Sequence, residues 1–364
     1  MTQRAFNFSA GPAVLPVPVL ERVQRELLAL PGPRASILEI SHRSGPFLKI
    51  MAAAEANLRQ LLSISDSYTI LFLQGGSRLQ FSMVPMNLLG ETDRIADYVV
   101  TGSWGRQAAK EAGKFGDVRV AWDGSSENYV RTPANSEIDA GPSAAYTYFV
   151  SNETIEGVQF SAEPPANNST LVCDASSDLL HKRLDISRYG LIYACAQKNI
   201  GPAGVTIVVV RNDLLERSSD ALPGYMSYKA HAEQGSLFNT APTFAIYVVR
   251  LVTDWLLNEM GGLETMHALN RQKADMLYEV IDESGGFYQG HAAADCRSLM
   301  NVVFRLPSDE LSAAFVNEAA DGNMTALAGH RSVGGIRASI YNAMPMAGVE
   351  TLRDFMIKFR EKRG

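Results

Sequence analysis

Cysteine is scarce: the 364 residues hold three, Cys173, Cys195 and Cys296. They show neither the close spacing of a metal site nor the even number of a disulfide framework, and they suit a reducing compartment. Long apolar runs are missing too, none approaching the roughly 20 residues of a membrane span. The N-terminus has no charged region followed by an apolar stretch and a small-residue cleavage site. No secretion signal is therefore expected, and the expected location is the cytoplasm. Positive charge is in deficit. Against 39 Asp and Glu stand 33 Lys and Arg, a net charge of −6. That argues against general nucleic-acid binding, which needs a basic face. No internal repeat and no low-complexity segment occurs.

What is present reads as a soluble globular protein, with 46% apolar and 20% charged residues. The length fits about two domains. Residues 1–17 read as an irregular arm. Pro18 is placed to start a helix with Val19, Leu20, Val23, Leu27 and Leu30 on one face. A second helix puts Phe47, Ile50, Met51, Ala54, Leu58, Leu61 and Leu62 on one face. From Tyr68 the period changes. The runs Tyr68–Leu73, Arg94–Val100, Tyr146–Val150, Thr170–Cys173, Leu191–Ala194 and Thr206–Val210 read as strands, with helical segments among them. Strands apolar on both faces predict an α/β fold with a mostly parallel sheet covered on both sides. A long helix, Thr243–Met260, stops at Gly261-Gly262. Beyond it, helices over 264–283, 309–319 and 347–362 alternate with strands at Asn301–Arg305, Met324–Ala328 and 335–340. The expectation is an arm (1–17), a large domain (18–262) and a smaller α+β domain (263–364).

Two groups at strand ends carry the chemistry. Lys198 follows the run ending at Ala194 and precedes Gly201-Pro202-Ala203-Gly204, a turn that allows close backbone approach. A lysine dehydrated there is expected to have a lowered pKa and to act as nucleophile and base. Asp174 ends another run. It reads either as an Asx turn or as an ion-pair partner at the carboxyl edge of the sheet, where ligands sit in this architecture. A lysine that forms a Schiff base and an acid that keeps a pyridine nitrogen protonated are what pyridoxal phosphate chemistry requires. Gly75-Gly76-Ser77 lies between a strand and a helix and would aim backbone N–H groups at a phosphate. Trp104 offers a flat face to a ring, and Thr154 a hydroxyl; each could equally be structural. His-Arg-Ser occurs twice, as His42-Arg43-Ser44 and His330-Arg331-Ser332, with Arg337 close behind. Arginine reads phosphate and carboxylate by paired hydrogen bonds, so the set suits a substrate carrying both. The alternative is a set of structural ion pairs.

These blocks, taken in order, resemble the phosphoserine aminotransferases, pyridoxal-phosphate enzymes of the aspartate-aminotransferase fold (fold type I). The resemblance spans essentially the whole chain. It is carried by Phe8-Ser9-Ala10-Gly11-Pro12-Ala13, Ser41-His42-Arg43-Ser44, Phe72-Leu73-Gln74-Gly75-Gly76 and Thr101-Gly102-Ser103-Trp104. Ser151-Asn152-Glu153-Thr154, Asp174-Ala175-Ser176-Ser177, Gln197 to Gly204, Asn239-Thr240-Ala241-Pro242 and Gly329 to Ser339 continue it. It implies a seven-stranded, mostly parallel sheet in the large domain and a homodimer with shared active sites. Lys198 would be the Schiff-base lysine, Asp174 the pyridinium partner, Trp104 the stacking ring and Thr154 the hydroxyl near the phenolic oxygen. Gly76, Ser77 and Gln197 would hold the phosphate of pyridoxal 5'-phosphate, joined by Asn239 and Thr240 from the second subunit. Ser9, His42, Arg43, His330, Arg331 and Arg337 would bind substrate. Within that set Arg337 would take the α-carboxylate and the His-Arg pairs the phosphate.

The reaction implied moves an amino group between glutamate and the phosphorylated keto acid 3-phosphohydroxypyruvate, with no metal. Bacterial members can also work on the 4-phosphohydroxythreonine pair of vitamin B6 synthesis. One block departs from the pattern. A small residue is more usual at Arg78, which either points away from the cofactor or adds positive charge near its phosphate. Two further readings are a lyase or desulfurase of the same fold, which wants a mobile reactive cysteine, and a non-catalytic binding protein.

Overall fold

In the computed structural model, which describes residues 4–89, 94–141, 144–165 and 169–364, the apolar runs assemble into one seven-stranded sheet. Its order is Tyr68–Leu73, Thr206–Arg211, Leu191–Cys195, Leu171–Asp174, Thr147–Val150, Ala96–Val100 and Val118–Asp123. Thr206–Arg211 runs antiparallel to both neighbours; the other pairings are parallel. Alternation along a strand buries both faces. Ile70 and Phe72 join one apolar cluster, and Leu71 and Leu73 join the other. The helices Gly45–Leu62 and Thr243–Asn258 cover the first face, and Gly76–Leu88 and Ser103–Ala112 cover the second.

A third apolar cluster is built from residues 274–359 around the antiparallel sheet Gln289–Gly290, Asn301–Arg305 and Ile336–Ser339, and takes in Phe8 from the arm. The arm is less irregular than the sequence implied: Phe6–Asn7 pairs in parallel with Met324–Thr325. That second segment is shorter than the expected strand Met324–Ala328, because Ala326 has φ 61°, which ends extended backbone. The first helix, Val17–Glu26, stops before Leu27 and Leu30; Pro31-Gly32-Pro33 downstream cannot continue it. The strand Val118–Asp123 escaped the sequence reading because it is a half-exposed sheet edge holding Arg119 and no continuous apolar run. Among the described residues, no helix is long and apolar enough to cross a membrane.

Candidate active site

Six strands end at one edge of the sheet, and the segments that follow five of them meet there. The segments leaving Leu73, Val100, Val150, Asp174 and Cys195 line a cavity of about 420 Å³. This is the ligand edge of an open α/β sheet. It brings together nine of the residues singled out by sequence: Gly76, Ser77, Trp104, Thr154, Asp174, Gln197, Lys198, His330 and Arg337. A larger cleft of about 560 Å³ lies elsewhere, among Asp275, Glu279, Asp282 and Arg297. It has neither a glycine turn nor a strand-end lysine, which leaves the smaller cavity as the candidate site. Among the described residues, no cluster of His, Cys, Asp and Glu could hold a metal.

The glycine turn is built for close approach. Gly75 and Gly76 have φ of 92° and 66°, values that a side chain strains. A Cβ on Gly75 would lie 2.4 Å from Leu79 Cδ2. The helix it opens, Gly76–Leu88, has no side-chain cap, so its first-turn N–H groups and positive dipole end are available to an anion. Ser77 Oγ lies 2.6 Å from Ser176 Oγ, which ties this turn to the loop after Asp174.

Asp174 forms the Asx turn that the sequence offered. Its Oδ1 accepts from Ser176 N at 2.9 Å, an Asx turn, while Oδ2 accepts from the Tyr193 hydroxyl at 3.0 Å. Burial raises its pKa above the usual carboxylate value; the Lys198 charge and the two donors oppose this without reversing it. Lys198 departs from expectation. Burial pulls its ammonium down, as anticipated, but Cys195, Tyr341, Asp174 and Glu153 together outweigh burial, and the net direction is up. The sequence could not show this, because Tyr341 and Glu153 come from distant segments.

Trp104 presents its ring to two cations. Lys198 Nζ and Arg78 Cζ each lie 5.6 Å from the ring centroid. Arg78 therefore does not point away: it lines the cavity. The indole N–H donates to Thr154 Oγ1 at 2.9 Å, leaving the Thr154 hydroxyl hydrogen free to donate. Arg337 Nη1 donates to Thr154 O at 3.2 Å. Among the described residues, neither Arg337 nor Arg78, Arg43 or Arg331 has a carboxylate within ion-pair distance, although 16 ion pairs of lysine or arginine form elsewhere. That disfavours structural pairing as the purpose of these arginines.

Six candidates do not line the cavity: Ser9, His42, Arg43, Arg331, Asn239 and Thr240. Ser9 caps its own turn, its Oγ accepting from Gly11 N at 3.3 Å. Arg331 is exposed, next to His330. Arg43 Nη2 reaches Leu237 O at 3.1 Å, and Asn239 Nδ2 reaches Gln74 Oε1 at 2.8 Å. The segments carrying Arg43 and Asn239 thus touch, beside exposed Leu38, Leu48 and Phe238. Sequence reasoning passed over Tyr341, whose hydroxyl donates to Ala10 O at 2.8 Å and which couples to Lys198. It also passed over Glu153, buried behind Trp104.

A strand-edge lysine and acid beside a phosphate-type turn define a class, and comparison with known proteins agrees. Residues 5–352 match the family model described as Aminotransferase class-V, and the chain belongs to that family. It is 55% identical over 361 residues to "Phosphoserine aminotransferase" of Rhodopirellula baltica, covering 99% of this chain and 96% of that one. Among solved structures it resembles phosphoserine aminotransferase from Bacillus circulans subsp. alkalophilus, with TM-score 0.97, 47% identity and 99% of each chain covered. It also resembles the pyridoxal-phosphate-bound phosphoserine aminotransferase from Trichomonas vaginalis, with TM-score 0.92, 37% identity, and 97% of this chain and 100% of that one covered.

Proposed function

We propose that this chain is a pyridoxal 5'-phosphate-dependent transaminase that exchanges the amino group between glutamate and 3-phosphohydroxypyruvate, giving O-phospho-L-serine and 2-oxoglutarate. The observation that carries the reading is the meeting of Lys198, Asp174 and the uncapped glycine-turn helix in one cavity. The donor set fits the cofactor: an uncapped helix start for a phosphate, a dehydrated carboxyl for a pyridine nitrogen, and an indole face between. When bound, the cofactor supplies an electrophilic carbon and an electron sink.

The chain's own groups supply the rest. Lys198 Nζ takes the α-proton of the amino acid and later returns it. The Asp174 carboxylate holds the proton on the pyridine nitrogen. Gly76, Ser77 and Gln197 hold the cofactor phosphate, with Arg78 adding charge. Trp104 would offer its face to the cofactor ring, and Thr154 would donate its free hydroxyl hydrogen to the phenolic oxygen. Arg337, without a carboxylate of its own, takes that of the substrate. The substrate phosphate falls to His330 and Arg331, joined by Ser9.

His42, Arg43, Asn239 and Thr240 lie off the cavity, in segments that also expose the apolar side chains Leu38, Leu48 and Phe238. This supports a homodimer in which Asn239 and Thr240 of the partner subunit reach the cofactor phosphate, and His42 and Arg43 of the partner subunit reach the substrate. We place the enzyme in the cytoplasm; three buried, unpaired cysteines suit a reducing compartment.

The test is absorbance. Protein mixed with pyridoxal phosphate should develop a yellow bound-cofactor band, and O-phospho-L-serine alone, with no keto acid, should bleach it. Bleaching by glutamate but not by O-phospho-L-serine would mean a different second substrate, and no band would refute the role of Lys198. The same bleach with 4-phosphohydroxy-L-threonine reads the vitamin B6 branch.

A further inference from the structure

The helix that carries Trp104, Ser103–Ala112, begins at Gly102, which is extended and has no side chain to cap the first turn. No capping side chain would fit: a Cβ at Gly102 would lie 2.4 Å from Glu153 Cδ. The free N–H groups of a first turn still need acceptors. Two glutamates from the hairpin around Asn152–Glu153 and Val158–Gln159 supply them. Glu153 Oε2 accepts from Trp104 N at 3.0 Å and Oε1 from Gly105 N at 2.8 Å. Glu156 Oε1 accepts from Ser103 N at 3.0 Å and from Ser103 Oγ at 2.6 Å.

Both carboxyls are buried, with 0% and 2% of their surface exposed. A buried carboxyl is costly unless fully engaged, which is a heavy outlay for a helix start that one serine could cap in most proteins. Burial and the charge of Glu156 raise the Glu153 pKa, and burial raises that of Glu156. The geometry shows what the outlay achieves. Thr154, next to Glu153, accepts the Trp104 indole N–H at 2.9 Å. Adjacent residues of one hairpin thus hold the backbone and the ring tip of Trp104. The same Thr154 accepts the Arg337 guanidinium through its carbonyl.

We infer that Glu153, assisted by Glu156, is a positioning residue: it caps the Trp104 helix from across the fold and fixes the plane of the ring against the cofactor. The inference rests on the proposed cofactor reading for what the ring does, but not for how the ring is held. Glu153→Gln keeps the volume but turns an amide NH₂ toward one of the two N–H donors.

Two measurements test it. Without cofactor, amide exchange at Trp104 and Gly105 should quicken at least tenfold in Glu153→Gln; unchanged protection would overturn the clamp. With cofactor, the variant should bind pyridoxal phosphate about tenfold more weakly and lose part of the induced visible circular dichroism even at saturation. Asn57→Ala, which removes contacts to Thr253 and Asp254 in the remote helix pair, should lower the melting temperature and leave that signal intact. A Glu153→Gln protein that melts earlier but binds with normal affinity and dichroism would make Glu153 merely structural and overturn the positioning role. If Glu153→Gln does not fold, Glu153→Asp, whose shorter side chain draws the carboxyl back from Trp104 N and Gly105 N, carries the same two predictions, and the same null results overturn them. Failure of the wild-type protein to form a band would refute the functional reading while the exchange result still judges the clamp.

Discussion

Acidifying this protein should cost stability through one histidine, by an amount that can be worked out. His181 is buried, with Nδ1 2.5 Å from Asp178 O and Nε2 3.2 Å from Gln159 Nε2. The orientation of Gln159 is fixed, because its Oε1 accepts from Leu299 N at 2.9 Å and its Nε2 donates to Asp178 Oδ2 at 3.0 Å. The amide therefore shows N–H to His181, and Nε2 must be bare to accept it. A second proton would set donor against donor. Burial, helped by Lys182 and His267 and opposed by Asp178, lowers the pKa from 6.5 to about 4. The unfolded chain takes up the proton first, so the stabilisation is complete above pH 6.5 and is lost as pH falls toward 4. At about 1.4 kcal/mol per pH unit of separation, the full loss is about 3 kcal/mol, and about 2 kcal/mol is gone by pH 5. The assay is urea unfolding of the wild type and of His181→Gln at intervals from pH 7 to pH 4.5, backed by NMR titration of the histidine rings. The wild-type advantage should shrink by about 2.5 kcal/mol over that range. An advantage that stays flat, or a ring resonance absent from the variant that titrates near 6.5, would refute the reasoning.

Three further outcomes are expected. Lys198→Ala should still bind pyridoxal phosphate but show no steady-state transamination; measurable turnover would remove Lys198 from proton transfer. Arg331→Ala should raise KM for O-phospho-L-serine far more than for glutamate, whereas equal loss for both would place the phosphate pocket elsewhere. Lys273, fully buried, donates to Tyr341 O at 2.8 Å and Ile340 O at 2.9 Å. Lys273→Met leaves Ile340 O without its donor and Tyr341 O with only Met344 N, and should cost about 2 kcal/mol, net of no longer burying the amine, seen as an earlier denaturant midpoint; no change would mean that water or a backbone shift replaces the ammonium.

Where the sequence could be read, the reason was local. Leu191–Cys195 and Tyr68–Leu73 announce themselves because both faces are buried, and Lys198, Asp174 and Gly75-Gly76 stand directly after such runs. Val118–Asp123 was missed because a half-exposed edge leaves no such trace. The two-residue pairing of Phe6–Asn7 with Met324–Thr325 is too short to show a period. The upward direction at Lys198 and the clamp on Trp104 depend on side chains that meet only in the folded chain. Glu153 reads as an ordinary polar residue in a turn until the helix start 48 residues away is set against it. The arginines were legible as a group, but not as divided between the cavity (Arg337, Arg78) and the surface (Arg43, Arg331).

The lone antiparallel strand has a consequence for synthesis. Tyr68–Leu73 borders only Thr206–Arg211 in the sheet. As the chain leaves the ribosome, the segment bearing Gly75-Gly76 has no sheet neighbour to join until Arg211 has emerged. By then Trp104, Thr154, Asp174 and Lys198 have all been made. A nascent or truncated chain thus cannot present a finished anion turn without the lysine, and cofactor captured early would find no half-built cradle.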